Sequence, residues 1–239
     1  MIYDGFDLSS LLVVETPIER SILPPVDVGS ESFGGRMGAV WRSSSLGALE
    51  LGVNVRLIAR PGGVREARLN FEDLRRRVAY RLWRPTPRRL VVDDAPDVWY
   101  LAALTGDTDL ERLAHTGGAR LSFLCPDPRA HGRSWELPAP SGGSLSARVG
   151  GNAPTAPVLT IDMDGSSTVV YFDGAPFRLN GTVPGAGAVT LDAVGHSTTK
   201  AGEAVGVNIE DDYPEWEPAT THTVECEHPF TLTWEERWL

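Results

Sequence analysis

The sequence predicts a mainly β protein with one α-helix, divided into two domains. Three observations carry that prediction. Short apolar–polar alternations recur along most of the chain, one segment alone has helical spacing, and the charge balance changes near residue 140. Residues 1–140 hold 18 Lys+Arg against 18 Asp+Glu, whereas residues 141–239 hold 4 against 14, so the net charge of −10 belongs to the second part. A Pro/Gly/Ser stretch at residues 138–146, PAPSGGSLS, has linker chemistry and lies at the change. The expected division is residues 1–138, a linker at 139–146, and residues 147–239.

In chain order, residues 1–14 (MIYDGFDLSSLLVV) place a Gly5 turn before an apolar run. Residues 20–38 contain Pro24, Pro25, Gly29, Gly34 and Gly35 and read as a long exposed loop or arm. Leu49, Leu51, Val53, Val55 and Leu57 alternate with Glu50, Gly52, Asn54 and Arg56, the period-two pattern of a half-buried strand. Residues 70–83 form the helix. Asn70 is placed to cap it, Glu72 and Asp73 suit its first turn, and Phe71, Leu74, Val78 and Leu82 make a buried stripe. Pro85 and Pro87 end it.

Seven arginines, Arg75, Arg76, Arg77, Arg81, Arg84, Arg88 and Arg89, decorate the outer face and exit of that helix. Such a run reads as a solvated face, as a contact surface for an acidic neighbour, or as a nucleic-acid contact. LVV at 90–92 and WYLAAL at 99–104 read as strands around the acidic turn Asp93, Asp94, Ala95, Pro96, Asp97. Asp and Pro are ordinary turn formers, so a turn is preferred to a cation site. Leu121, Phe123 and Cys125 alternate with Ser122 and Leu124 as a strand that Pro126 and Pro128 stop, and residues 129–132 read as a turn. In the second part PVLTI (157–161), STVVYF (167–172), VTLD (189–192) and FTLTW (230–234) are short strands between Gly and Asp turns. No helical segment intervenes, which is a small β-sandwich pattern.

A strand ending in Cys125-Pro126-Asp127-Pro128, then a linker and an all-β second domain, resembles the distal tail protein family of siphophages. The opening phrase Phe6-Asp7-Leu8-Ser9 is similar to the family's, as is the order of helix, Pro break, strand, Asp-Pro turn, aromatic strand and LSFLCPDP strand. The second domain resembles the family's galectin-like β-sandwich through Gly151-Asn152, Gly181, the 189–192 strand, the Tyr213-Pro214 turn and the closing Glu236-Arg237-Trp238-Leu239. It departs where Ala219 and Thr220 replace the family's Gly-Asn.

The resemblance implies an N-terminal β-sandwich-type ring (belt) domain and a C-terminal galectin-like β-sandwich. It implies a structural virion protein of the phage tail tip, assembled in the bacterial host cytoplasm, from phage or prophage. It implies a homohexameric baseplate hub joining the tail tube protein to the tail-tip (tail-associated) protein, around a lumen through which DNA passes without specific binding. Ring closure needs two different, matching faces. The candidate subunit-interface residues are Arg75, Arg76, Arg77 and Arg81 on the helix and Asp93, Asp94 and Asp97 in the acidic turn. The alternative is a carbohydrate-binding β-sandwich protein of a host-adhesion device, with Trp216, Trp234 and Trp238 as the aromatics, although Trp234 also fits a core position.

No pattern supports an enzyme. There is no Gly-x-Ser-x-Gly, phosphate loop or Cys–His arrangement, so no catalytic, cofactor-binding or metal residue is assigned and no cofactor is expected. His115, His131, His196, His222 and His228 lack metal spacing. Asp162, Asp164 and Gly165 echo a calcium loop, but Ser166 and Ser167 follow and no Glu closes it. Glu210, Asp211 and Asp212 read as a solvated acidic run. Cys125 and Cys226 belong to no metal motif and read as small buried hydrophobes. No apolar run reaches the length of a membrane span and no signal peptide opens the chain, so a soluble protein with no membrane partner is expected.

Overall fold

The computed structural model describes residues 1–35, 37–57, 64–106, 118–163, 167–180 and 187–239. Two compact units emerge, Met1–Ala130 with Leu239, and His131–Trp238. The division falls earlier than the sequence places it. Residues 139–146, expected as a linker, are the end of the Ala130–Ala139 strand, a tight turn and the start of the Gly143–Arg148 strand. Gly142 and Gly143 have positive φ values of 70° and 105°, so the glycines that suggest a linker instead turn a strand. Of residues 129–132, expected as a turn, Ala130, His131 and Gly132 open the first of these strands.

In the first unit Leu49–Leu57 is central. It pairs antiparallel with Leu12–Arg20 on one side and Gly118–Cys125 on the other. The registers Leu51↔Phe123, Val53↔Leu121 and Val55↔Ala119 bring the inward residues of both strands opposite one another. The last three residues of Ala95–Thr105 also pair with Gly118–Cys125, while its earlier part pairs with Arg88–Val92. One strand thus serves two sheets, as at the corner of a sandwich. Ile2–Tyr3 and then Phe6–Asp7 extend the second of them. Tyr3, Leu8, Leu12, Leu51, Leu90, Leu121 and Phe123 are 2% exposed or less and form the core.

The helix spans Val64–Leu82, six residues longer at its start than the sequence suggests. Asn70 therefore lies inside it rather than capping it. Val64-Arg65-Glu66-Ala67-Arg68-Leu69 is rich in strong helix formers, and their summed preference outweighs one capping signal. Leu74, Val78 and Leu82 face the core as expected; the side chain of Phe71 lies outside the described set.

The exposed arm is a β-hairpin. Val26–Glu31 and Val40–Leu46 pair only with each other, and the second is exposed along its whole length. Arg20 belongs to the preceding strand, and the arm runs on to Leu46.

The second unit is a β-sandwich. One antiparallel sheet contains Val158–Asp162 between Ala188–Asp192 and Phe230–Trp238, continued by Ser197–Lys200 and Glu203–Ala204 at one edge and by Ala130–Ala139 at the other. The facing sheet runs Gly143–Arg148, Thr221–Cys226, Ser167–Phe172, Ala175–Asn180 and Gly206–Val207. Leu159, Ile161, Leu191 and Leu232 from one sheet and Val170, Phe177, Leu179 and Val224 from the other are all buried in one core. No described helix is long and apolar enough to cross a membrane.

Candidate functional site

The structure sorts the seven interface candidates by what each already touches. The Arg81 guanidinium sits 4.1 Å above the Phe6 ring, half-buried, so it helps to seat the helix. Arg77 pairs with Asp73 one turn earlier at 2.9 Å, with both side chains mostly exposed. A pair of that kind contributes about 0.3–0.5 kcal/mol and exchanges partners readily. Arg75 and Arg76 are exposed. Among the acidic candidates, Asp93 accepts from the Met1 amine at 2.5 Å. Asp93 and Asp94 form a two-residue turn between Val92 and Ala95, so Asp97 is not in the turn but on the strand that follows.

Both patches border the same short strand, Ile2–Tyr3. Met1 before it binds Asp93, and Asp4 after it accepts from Arg84 Nε at 2.6 Å, with Arg88 at 3.9 Å. Arg84 also donates to the Tyr80 and Trp83 carbonyls at 2.8 Å and so caps the helix C-terminus. The hydrogen bond from Arg84 holds the Asp4 carboxyl below its ordinary 3.8. A depressed carboxyl stabilises above its unfolded pKa, and that contribution disappears as pH falls through the lower folded value. Acid titration of Asp4→Asn, followed by circular dichroism, should therefore give a shallower loss of stability below about pH 4 than the parent. Identical acid limbs would remove Asp4 from the account.

Sequence reasoning missed the apolar surface of the hairpin arm. Val26, Val28, Val40 and Trp41 are exposed, Trp41 to 62%. The glycine and proline signals marked the arm as projecting, but the alternation in Val26-Asp27-Val28 and the β-favouring Val40-Trp41 would have marked it as paired strands.

In the second unit the proposed sugar-stacking aromatics separate. Trp216 is 1% exposed and Trp234 is also buried, their rings 6.2 Å apart in an edge contact; Trp238 is 39% exposed. Two of the three are core. Asp211 leaves the acidic run: its buried carboxylate accepts from the backbone N–H of Arg178 at 2.6 Å and its guanidinium at 2.7 Å. Asp164, Gly165, Ser166, Gly181 and His115 lie outside the described residues. Among the described residues no cluster of three His, Cys, Asp or Glu is placed to hold a metal ion.

Both thiols are buried. Burial, with a smaller push from Asp127, raises Cys125 to about 12, and burial raises Cys226 as well. The thiolate is the reactive form. A thiol reagent at pH 8 should leave both unmodified in the native protein and label both after unfolding. Native labelling of either within minutes would contradict this placement.

The family model of the phage tail protein RIFT-related domain matches residues 6–125. No curated protein matches the chain significantly. Among solved structures, the crystal structure of Dit (gp 19.1) of phage SPP1, described as a paradigm of the hub adsorption apparatus in phages infecting Gram-positive bacteria, superposes with a TM-score of 0.75 at 19% identity. That match covers 100% of this chain and 98% of the other. A chain of the phage p2 baseplate in its activated conformation with calcium gives a TM-score of 0.42 at 8% identity, covering 94% and 90% of the two chains.

Proposed function

This chain belongs to the phage tail protein RIFT-related domain family, and from that membership we propose that it is a distal tail subunit, the baseplate hub of a long-tailed phage. Six copies form a ring that joins the tail tube protein to the tail-tip protein and leaves a lumen for DNA. The ring is built in the bacterial cytoplasm and resides in the virion at the tail tip. Its role is mechanical, not enzymatic.

The observation that carries this reading is the full-length fold likeness to SPP1 Dit, a hub protein. Two features of this chain support it. The hairpin arm presents apolar side chains that water disfavours and that a neighbouring subunit would cover. The arginine-bearing helix and the acidic Asp94 and Asp97 supply charged contact surface, with Arg75, Arg76 and Arg77 exposed and Arg81 and Asp93 fixing the local fold. Passage of DNA without binding is consistent with a net charge of −10, since affinity for the phosphate backbone comes mainly from excess Lys and Arg.

Light scattering of the purified protein, alone and with its tail-tip partner, should reveal a species near six times 25.9 kDa. A protein that stays monomeric at every concentration and in both conditions would overturn the ring.

A further inference from the structure

The helix carries a second stripe that its packing does not use. Residues 73, 76, 77 and 80, with 83 just past the helix end, recur at three- and four-residue spacing on the side opposite the core-facing Leu74, Val78 and Leu82. Tyr80 and Trp83 on this stripe are 73% and 72% exposed. Arg76 makes no ion pair with any described residue, and Arg77 holds only the exposed Asp73. Large exposed aromatics flanked by arginines have the composition of interface hot spots.

The occupant must be acidic and must offer an apolar side chain. The Asp93–Asp94 turn cannot be the distant face that a heterologous ring requires. It borders the same Ile2–Tyr3 strand as the helix exit, with Met1 and Asp4, three residues apart, tied to the two patches. The second unit offers a better match. Ile209 is 98% exposed, and Glu210 and Asp212 beside it are exposed as well. This tip is held firmly. Asn208 N–H donates to the Arg178 carbonyl at 3.2 Å, Asp211 N–H donates to the Asn208 carbonyl at 3.1 Å, and the buried Asp211 carboxylate binds Arg178. The ring of Tyr213 just beyond lies 5.1 Å from Phe177 and stacks on His196 at 5.2 Å. An isoleucine presented on so well anchored a turn loses little conformational freedom when it docks.

We infer that the Arg76–Arg77–Tyr80–Trp83 stripe of one copy binds the Ile209–Glu210–Asp212 tip in the second unit of the next copy. The contact is heterologous and closes a ring by repetition, so it rests on the ring assignment above.

Charge exchange tests it. Arg76→Glu with Arg77→Glu in one variant, and Glu210→Arg with Asp212→Arg in another, should each weaken self-assembly at least tenfold, read by mass photometry across a dilution series. An equimolar mixture should assemble like the parent, because alternating copies restore opposite charges at every contact. Loss in each variant without recovery on mixing would overturn the contact, as would parent-like assembly of either variant alone. A parent protein that never assembles would overturn the ring and this contact together, so the two failures are distinguishable. As an independent readout, Trp83→Cys and Ile209→Cys chains mixed under mild oxidation should give a mixed disulfide dimer in high yield. A Val13→Cys chain with Ile209→Cys should give little, and equal yields would overturn the contact.

Discussion

Replacing Trp216 with alanine should lower the stability of the second unit by about 3–5 kcal/mol, the range for removing a fully buried large aromatic. Trp216 is 1% exposed, stacks on His222 at 5.0 Å and meets Trp234 edge-on at 6.2 Å. Its backbone exchanges two hydrogen bonds with Thr155, at 2.6 and 3.0 Å, so the chain is pinned there and cannot collapse to fill the space. His222 depends on the same ring for its position. Its Nδ1 bonds the Asp173 carboxylate at 2.7 Å and its Nε2 meets the Thr220 hydroxyl at 2.6 Å. A domain of this size has a total stability of about 5–15 kcal/mol, so the loss should lower the midpoint of thermal unfolding by roughly 15 °C or more. Trp216→Phe keeps a ring against His222 and should lose much less. A Trp216→Ala protein within about 1 kcal/mol of the parent in urea titration would show that Trp216 is not a core residue.

Gly151→Val should be as damaging for a different reason. Gly151 has φ of 91°, a region that a β-branched residue enters only under strain. A side chain there would also run into the Arg237 backbone, which is close because Asn152 and Ala153 both donate to the Arg237 carbonyl at 3.1 Å. Left-handed strain of about 1–2 kcal/mol and two weakened hydrogen bonds at about 1 kcal/mol each give a loss of about 3–4 kcal/mol. The neighbouring Asn152→Ala is the control, since its side chain is exposed and its N–H remains. Equal unfolding midpoints for parent, Gly151→Val and Asn152→Ala would show that this approach is not made.

Strands with one buried face were legible wherever the alternation was strong. Leu49, Leu51, Val53 and Val55 are buried, Gly118–Cys125 buries every second residue, and Ser167–Phe172 does the same in the second unit. Thr221–Cys226 was not legible, because Thr221, His222 and Thr223 hide the two inward residues, Val224 and Cys226. The arm was half legible: its prolines and glycines announced projection but not pairing. The interface candidates were readable as charges, not as contacts. Nothing local says that Met1 will take Asp93, 92 residues away, or that Asp4 will take Arg84, 80 residues away.

The sequence alone determined the fold class, the single helix and its buried stripe, and the unequal charge of the two parts. These follow from side-chain periodicity and composition, which are local properties of the chain. Only the tertiary structure decided where the units divide, that Asp211 is buried on Arg178 while Ile209 beside it is exposed, and that Trp216 is core and Trp83 is surface. Those outcomes depend on which distant segments meet, and the same residue type lies on either side according to what covers it.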